Sequence, residues 1–169
     1  LSHQHLIEIY RALLRSQAIY YPVAYRFLHE LGRGRQGIVF QGLRQGARGC
    51  VTRHAIKIYD PGIYVSAAKY WTDMGRIASQ VSQLQSVSGP ALVARDIFEE
   101  VNGVGYIQME AIDGVNLHQL LHPEHLTAAR AHSTDREWSR FTDVIFRVEG
   151  DRVSIQPGVA IYILRQILR

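Results

Sequence analysis

The chain has 169 residues, of which 47% are apolar and 20% charged, a globular balance that excludes a disordered chain. Lys and Arg exceed Asp and Glu by 19 to 15, but 17 of those cations are Arg scattered along the sequence, which argues against a nucleic-acid surface. No run of 18 apolar residues exists, so no transmembrane helix and no membrane partner is expected. Cys50 is the single cysteine, which excludes an intramolecular disulfide and a four-cysteine zinc site and suits a cytoplasmic location. The N-terminus has neither a starting Met nor the pattern of a signal peptide, so the chain reads as a piece excised from a longer protein.

Residues 2–20 read as an amphipathic helix, with Leu6, Ile9, Tyr10, Leu13 and Leu14 at helical spacing and Tyr21-Pro22 as its end. From Tyr25 the period changes to two. Segments 25–31, 37–43 and 51–59 predict three antiparallel strands, with a turn at residues 46–49 and a stop at Pro61-Gly62. Residues 63–88 predict a helix with Ile63, Val65, Ala67, Ile77, Val81, Leu84 and Val87 on one face; Gly75 is a candidate break, and Ser88-Gly89-Pro90 ends it.

Residues 92–100 and 105–110 predict two more strands around Asn102-Gly103, a strong hairpin signal. A short helix is expected over residues 116–121. Residues 124–141 read as a polar loop with one helical turn near 135–141. Residues 144–148 and 152–155 predict a small extra hairpin. Residues 159–169 predict a helix that is apolar nearly all round, so its cover is expected outside this sequence. That helix, through Ile161, Leu164 and Leu168, is also the expected point of self-association.

The residues that carry chemistry begin at Gly32-Arg33-Gly34-Arg35-Gln36-Gly37-Ile38-Val39, a GxGxxGxV pattern. A dinucleotide fold places this motif between a strand and a helix. Here a strand precedes it and a strand follows, making a glycine flap. Ala55-Ile56-Lys57 ends the third strand, 20 residues after Gly37. Backbone amides of bare glycines can approach phosphates closely, and a lysine on a rigid neighbouring strand adds a point charge. Lys occurs only at positions 57 and 69, so its use at 57 singles that position out. The third segment runs from Tyr106 through Met109-Glu110-Ala111-Ile112-Asp113-Gly114 to Asn116-Leu117.

In this order the three segments resemble the N-terminal lobe of a eukaryotic-type protein kinase, most of all the bacterial serine/threonine kinases. The resemblance covers roughly residues 24–122, with 159–169 matching the start of the long C-lobe helix. It implies an α+β fold: a five-stranded antiparallel sheet with a C-helix, an N-terminal helix outside it, and a truncated C-lobe helix. The implied division is an N-terminal extension at 1–22, an ATP-binding lobe at 23–122, a linker with an extra hairpin at 123–157, and the start of the C-lobe helix at 158–169.

By the same resemblance ATP is the cofactor, entering with Mg2+, whose ligands are expected in the missing C-lobe. Leu31, Gly32, Gly34 and Gly37 would cover the nucleotide, and Val39 and Ala55 would sandwich the adenine. Lys57 would hold the phosphates and Met109 would be the gatekeeper. The backbone of Glu110 and Ile112 would meet the adenine edge, with Asn116 near the ribose.

Two departures stand out. Gln80 occupies the position where the family's C-helix carries a Glu to pair with the lysine; it is neutral, and Asp73 lies about two helical turns away. The H-R-D and D-F-G segments that supply the base and the Mg2+ ligands are absent. This chain alone is therefore not expected to catalyse transfer, whereas its parent would phosphorylate protein hydroxyls. The alternatives are a pseudokinase-type nucleotide sensor or scaffold, and a pure interaction module. His118 and His122 have helical i, i+4 spacing, but Gln119 stands where HExxH needs Glu, so no metal is expected there. No GxSxG occurs to support a hydrolase.

Overall fold

The computed structural model describes residues 1–19, 24–84, 95–114, 116–149 and 152–167. These fall into two compact units, one from the N-terminus to Ile112 and one from Asp113 onward.

The first unit opens with α1 (His3–Ser16), whose N-cap Ser2 accepts the His5 N–H at 3.2 Å. Leu6, Tyr10 and Leu13 recur at i, i+4 and i+7 and are buried. The helix ends at Ser16, not at residue 20. Gln17 turns left-handed (φ 49) and its N–H returns to the Leu13 carbonyl. The freed chain pairs as β1 (Ala18–Ile19) with the start of β2 (Tyr25–Gly34). The expected stop at Tyr21-Pro22 lies outside the described residues.

β2 continues into β3 (Gly37–Gln45), β4 (Val51–Tyr59), β5 (Arg95–Val101) and β6 (Val104–Glu110). All pairs are antiparallel, in the spatial order β1-β2-β3-β4-β6-β5. The five expected strands are present, extended to six by the two-residue β1. Asn102 and Gly103 both have positive φ (51 and 84), the twist-matched turn that their sequence predicts for β5–β6.

Between β4 and β5 runs α2 (Ala67–Leu84). It begins later than the expected residue 63, because Pro61–Ile63 forms a 3-10 turn and the Ser66 carbonyl receives the first helical N–H bond, from Tyr70. Ile63 and Val65 are therefore off the apolar face, and Val65 is 91% exposed. Gly75 does not break the helix; the tertiary grip of Tyr70, Met74 and Val81, all buried, holds it through. Its expected end at Ser88-Gly89-Pro90 lies outside the described residues.

Opposed residues in an antiparallel ladder project to the same side, so the register divides the sheet into two faces. One carries Phe40, Ile56 and Gln108 in one row across β3, β4 and β6, with Ile38, Ile58 and Tyr106 in the next. The other carries Val39, Lys57 and Ile107, with Ala55 opposite Met109. α2 is fastened on this second side: Tyr70 Oη accepts the Gly105 N–H at 2.8 Å, and a Cβ at Gly105 would meet Met74 Sδ at 2.8 Å. Among the buried polar side chains, Gln108 accepts from the Tyr25 hydroxyl.

The second unit contains α3 (Leu117–Leu120), α4 (Pro123–Ala131), α5 (Asp135–Val144), the hairpin β7 (Phe146–Glu149) and β8 (Arg152–Ile155), and α6 (Pro157–Ile167). The expected loop over 124–141 is instead two helices, with the expected turn near 135–141 lying within α5. Pro123 starts α4 at its first turn, and Thr134 with Glu137 closes a capping box on α5. The extra hairpin is present, its Gly150-Asp151 turn lying outside the described residues. Phe146 is buried against Phe141. Among the described residues no helix is long and apolar enough to cross a membrane.

Candidate functional site

The glycine motif forms the β2–β3 hairpin. Gly34 and Gly37 are the last opposed pair, with Arg35-Gln36 as the turn. Two register shifts in β2, between Phe27 and His29 and between Glu30 and Gly32, leave Leu28 and Leu31 without opposed partners, and Leu31 is 47% exposed. The hairpin is anchored where the Gln36 carbonyl accepts the Asp60 N–H at 2.9 Å.

The three glycines differ in what surrounds them. Gly37 has φ +148, and a Cβ there would sit 1.9 Å from the Ile58 carbonyl oxygen. Only glycine lets β3 lie so close to β4. A Cβ on Gly32 or Gly34 would meet nothing within 4 Å, and neither has a left-handed φ. The chain's own packing does not require glycine at those two positions.

Below the hairpin the register gathers the other expected residues. Lys57 is directly opposite Val39, and Ala55 directly opposite Met109, all on the α2 side. Ala55 is buried; Val39, Lys57 and Met109 are half-buried. The Lys57 ammonium donates to Gln36 Oε1 at 3.0 Å and lies 4.7 Å from the Tyr59 ring centroid, a cation–π distance. Gln36 and Tyr59 are the two members of this group that sequence reasoning passed over. Gln36 occupies a variable position of the glycine motif. Tyr59 could have been found from the strand period, since residue i+2 shares the face of Lys57.

The helix side is arranged otherwise. Gln80 is exposed on α2. Asp73 binds within its own helix, to Lys69 at 3.2 Å and Arg76 at 3.4 Å. Glu110 is exposed at the end of β6, opposite His54, and Ile112 is 64% exposed at the end of the first unit. Asn116 belongs to the second unit, where it caps α3: its side-chain oxygen accepts the Gln119 N–H at 2.8 Å. So Leu31, Gly32, Gly34, Gly37, Val39, Ala55, Lys57, Met109 and Glu110 share one unit, and Asn116 does not. Among the described residues no group of three or more His, Cys, Asp or Glu could hold a metal ion.

A glycine hairpin, an A-x-K strand beside it, and one helix before a closing β-hairpin make up this plan in this order. The fold is like that of a protein-kinase N-terminal lobe. No protein-family model and no curated protein matches the sequence. Solved structures that are similar include the following two. PpkA-294 in its apo form is 19% identical, with 71% of this chain and 48% of that chain covered and a TM-score of 0.49. The Mycobacterium tuberculosis PknI kinase domain, as a double mutant, is 16% identical, with 78% and 58% covered and a TM-score of 0.40. This chain spans about half the length of each. The kinase-like plan is carried by the chain's own strand order and motif positions.

Proposed function

We propose that this chain is the ATP-binding lobe of a serine/threonine protein kinase whose full-length parent phosphorylates protein hydroxyls. The observation that carries this reading is the bareness of Gly32 and Gly34. Nothing in the chain's packing requires it, and they head the hairpin above Val39, Ala55, Lys57 and Met109. Backbone N–H groups of such a hairpin would receive phosphate oxygens without side-chain interference. Lys57, which donates to Gln36 Oε1, would add its charge to the phosphates. Val39 and Ala55 would lie against the adenine, Leu31 would cover it, and the backbone at Glu110 and Ile112 would meet its polar edge.

Bound ATP would supply the γ-phosphoryl group for transfer. Mg2+ would be held by residues outside this sequence, since neither D-F-G nor H-R-D is present in it. The chain on its own then binds nucleotide without turning it over.

A second reading has its own support. Gln80, which stands where the family's C-helix carries a Glu, is neutral and exposed, and Asp73 is engaged by Lys69 and Arg76 within α2. That neutral residue favours a pseudokinase-type lobe that senses nucleotide or acts as a scaffold. Calorimetric titration of ATP into the chain and into Lys57→Ala tests the common core of both readings. Binding near the millimolar level, about 4 kcal/mol, is expected for half a site, and its loss in Lys57→Ala supports a nucleotide role. Binding that Lys57→Ala leaves unchanged rejects the proposed site. Phosphorylation of a generic protein by the full-length parent separates the kinase from the sensor.

A further inference from the structure

Between Glu30 and Asp60 the sequence carries six cations and no acid. Arg33 is taken up by Glu30, and Lys57 reaches Gln36. Arg35 sits in the glycine hairpin. The remaining three, Arg44, Arg48 and Arg53, belong to the β3–β4 hairpin, and the sheet adds a fourth from elsewhere in the sequence. Arg26 lies opposite Leu43, which lies opposite Arg53. The three form one row across β2, β3 and β4 and project from one face. Arg44, next along β3, projects from the other face, and Arg48 sits in the turn with a left-handed φ of 56. All four arginines are exposed, and none takes part in an ion pair among the described residues. Arginines that look scattered in the sequence are thus gathered by strand register. Their mutual repulsion is relieved by an anionic partner.

The backbone beside them is also open. β4 pairs with β6 only from His54 to Ile58. Val51, Thr52 and Arg53 run on past that ladder and, among the described residues, pair with β3 on one side alone. A strand edge of this kind accepts an added extended segment.

We propose that the β3–β4 hairpin docks an extended, carboxylate-rich segment of a partner polypeptide along β4 at residues 51–53. Alternate side chains of an added strand face opposite sides of the sheet. Acidic residues on one side meet Arg53 in the field of Arg26, and those on the other meet Arg44. The planar guanidinium fork suits carboxylates. Residues 41–54 contain no Phe, Tyr or Trp to stack bases, which disfavours a nucleic acid. Val51 is the one large apolar side chain exposed there, too little to enter a lipid surface. None of this depends on the nucleotide reading.

The test is fluorescence anisotropy of the whole chain with a labelled peptide of repeating Glu-Glu-Val-Val, which puts carboxylates on both sides of an added strand, at low and at raised salt. A version with proline at alternate positions and an oligothymidylate of similar charge serve as comparisons. Micromolar binding to the first peptide is expected, weakened about tenfold in the double variant Arg44→Gln, Arg53→Gln and unchanged in Arg136→Gln on α5. The proline version should bind far more weakly, because it cannot complete the ladder. Peptide binding should slow hydrogen exchange of the 51–53 amides in the native sequence, a readout that needs no variant to fold. Equal binding by the double variant, equal binding of the proline peptide, tighter binding of the oligonucleotide, or unaltered exchange at 51–53 would each overturn the proposal.

Discussion

A Cβ on Gly37 would collide with the Ile58 carbonyl, and its φ of +148 adds strain for any L side chain. Gly37→Ala is therefore expected to cost about 3 kcal/mol or more, read from urea unfolding. Gly32→Ala and Gly34→Ala meet open space, so their stability should stay within about 1 kcal/mol of the native chain. Equal losses at all three would mean that the flap is held by contacts other than these. The GxGxxGxV pattern was legible in the sequence, but this division of labour was not. It depends on how near the Ile58 carbonyl comes to each glycine, and that is set by the β3–β4 register. The hydrogen bond from Lys57 to Gln36 was likewise hidden, because Gln36 reaches it only once the hairpin folds back over β4.

At the scale of elements, α2 offers the clearest case. Gly75 lies inside the helix and a Cβ there would meet nothing within 4 Å. Gly75→Ala should stabilise the protein by about 0.5–1 kcal/mol, seen as a raised urea midpoint. A lowered midpoint would show that Gly75 is kept for close packing. Met74 on the same helix is buried to 1% exposure against Gly105, so Met74→Ala should cost about 2–5 kcal/mol in the same measurement. The strands were readable from a period of two and from turn residues such as Asn102-Gly103. Helix α4 was missed and α5 was read as a single turn because few apolar residues mark them; their signals were local, Pro123 at a first turn and the Thr134–Glu137 capping box. The end of α1 was misplaced because Tyr21-Pro22 was read as the stop, while no glycine announces the turn at Gln17.

For the whole molecule, buried tyrosines set an alkaline limit. Burial, assisted by the nearby Asp60 carboxylate, pushes the Tyr10 hydroxyl up to about 12. Burial also raises Tyr70 and Tyr106, the latter further through its hydrogen bond to Glu99. An unfolded tyrosine ionises near about 10, so the folded state keeps these protons longer than the unfolded state. Their contribution is fully present below about pH 10 and falls away above it, that of Tyr10 being lost as pH rises through about 12. The urea midpoint should be level up to about pH 9 and fall above about pH 10; a flat profile to about pH 11 would contradict this.

The exposed Ile161, Tyr162 and Leu164 of α6 motivate the proposed self-association, with Leu168 outside the described residues. Sedimentation should show mass rising with concentration, and Ile161→Glu with Leu164→Glu should abolish the rise. The central claim is that ATP lies under the Gly32–Gly34 hairpin against Lys57, and amide chemical-shift mapping during an ATP titration tests it most directly. The account predicts that the largest shifts fall at Gly32, Gly34, Val39, Ala55 and Lys57 and saturate together near the millimolar level. Shifts confined to the arginines of the β3–β4 hairpin, or none at those five residues, would contradict it.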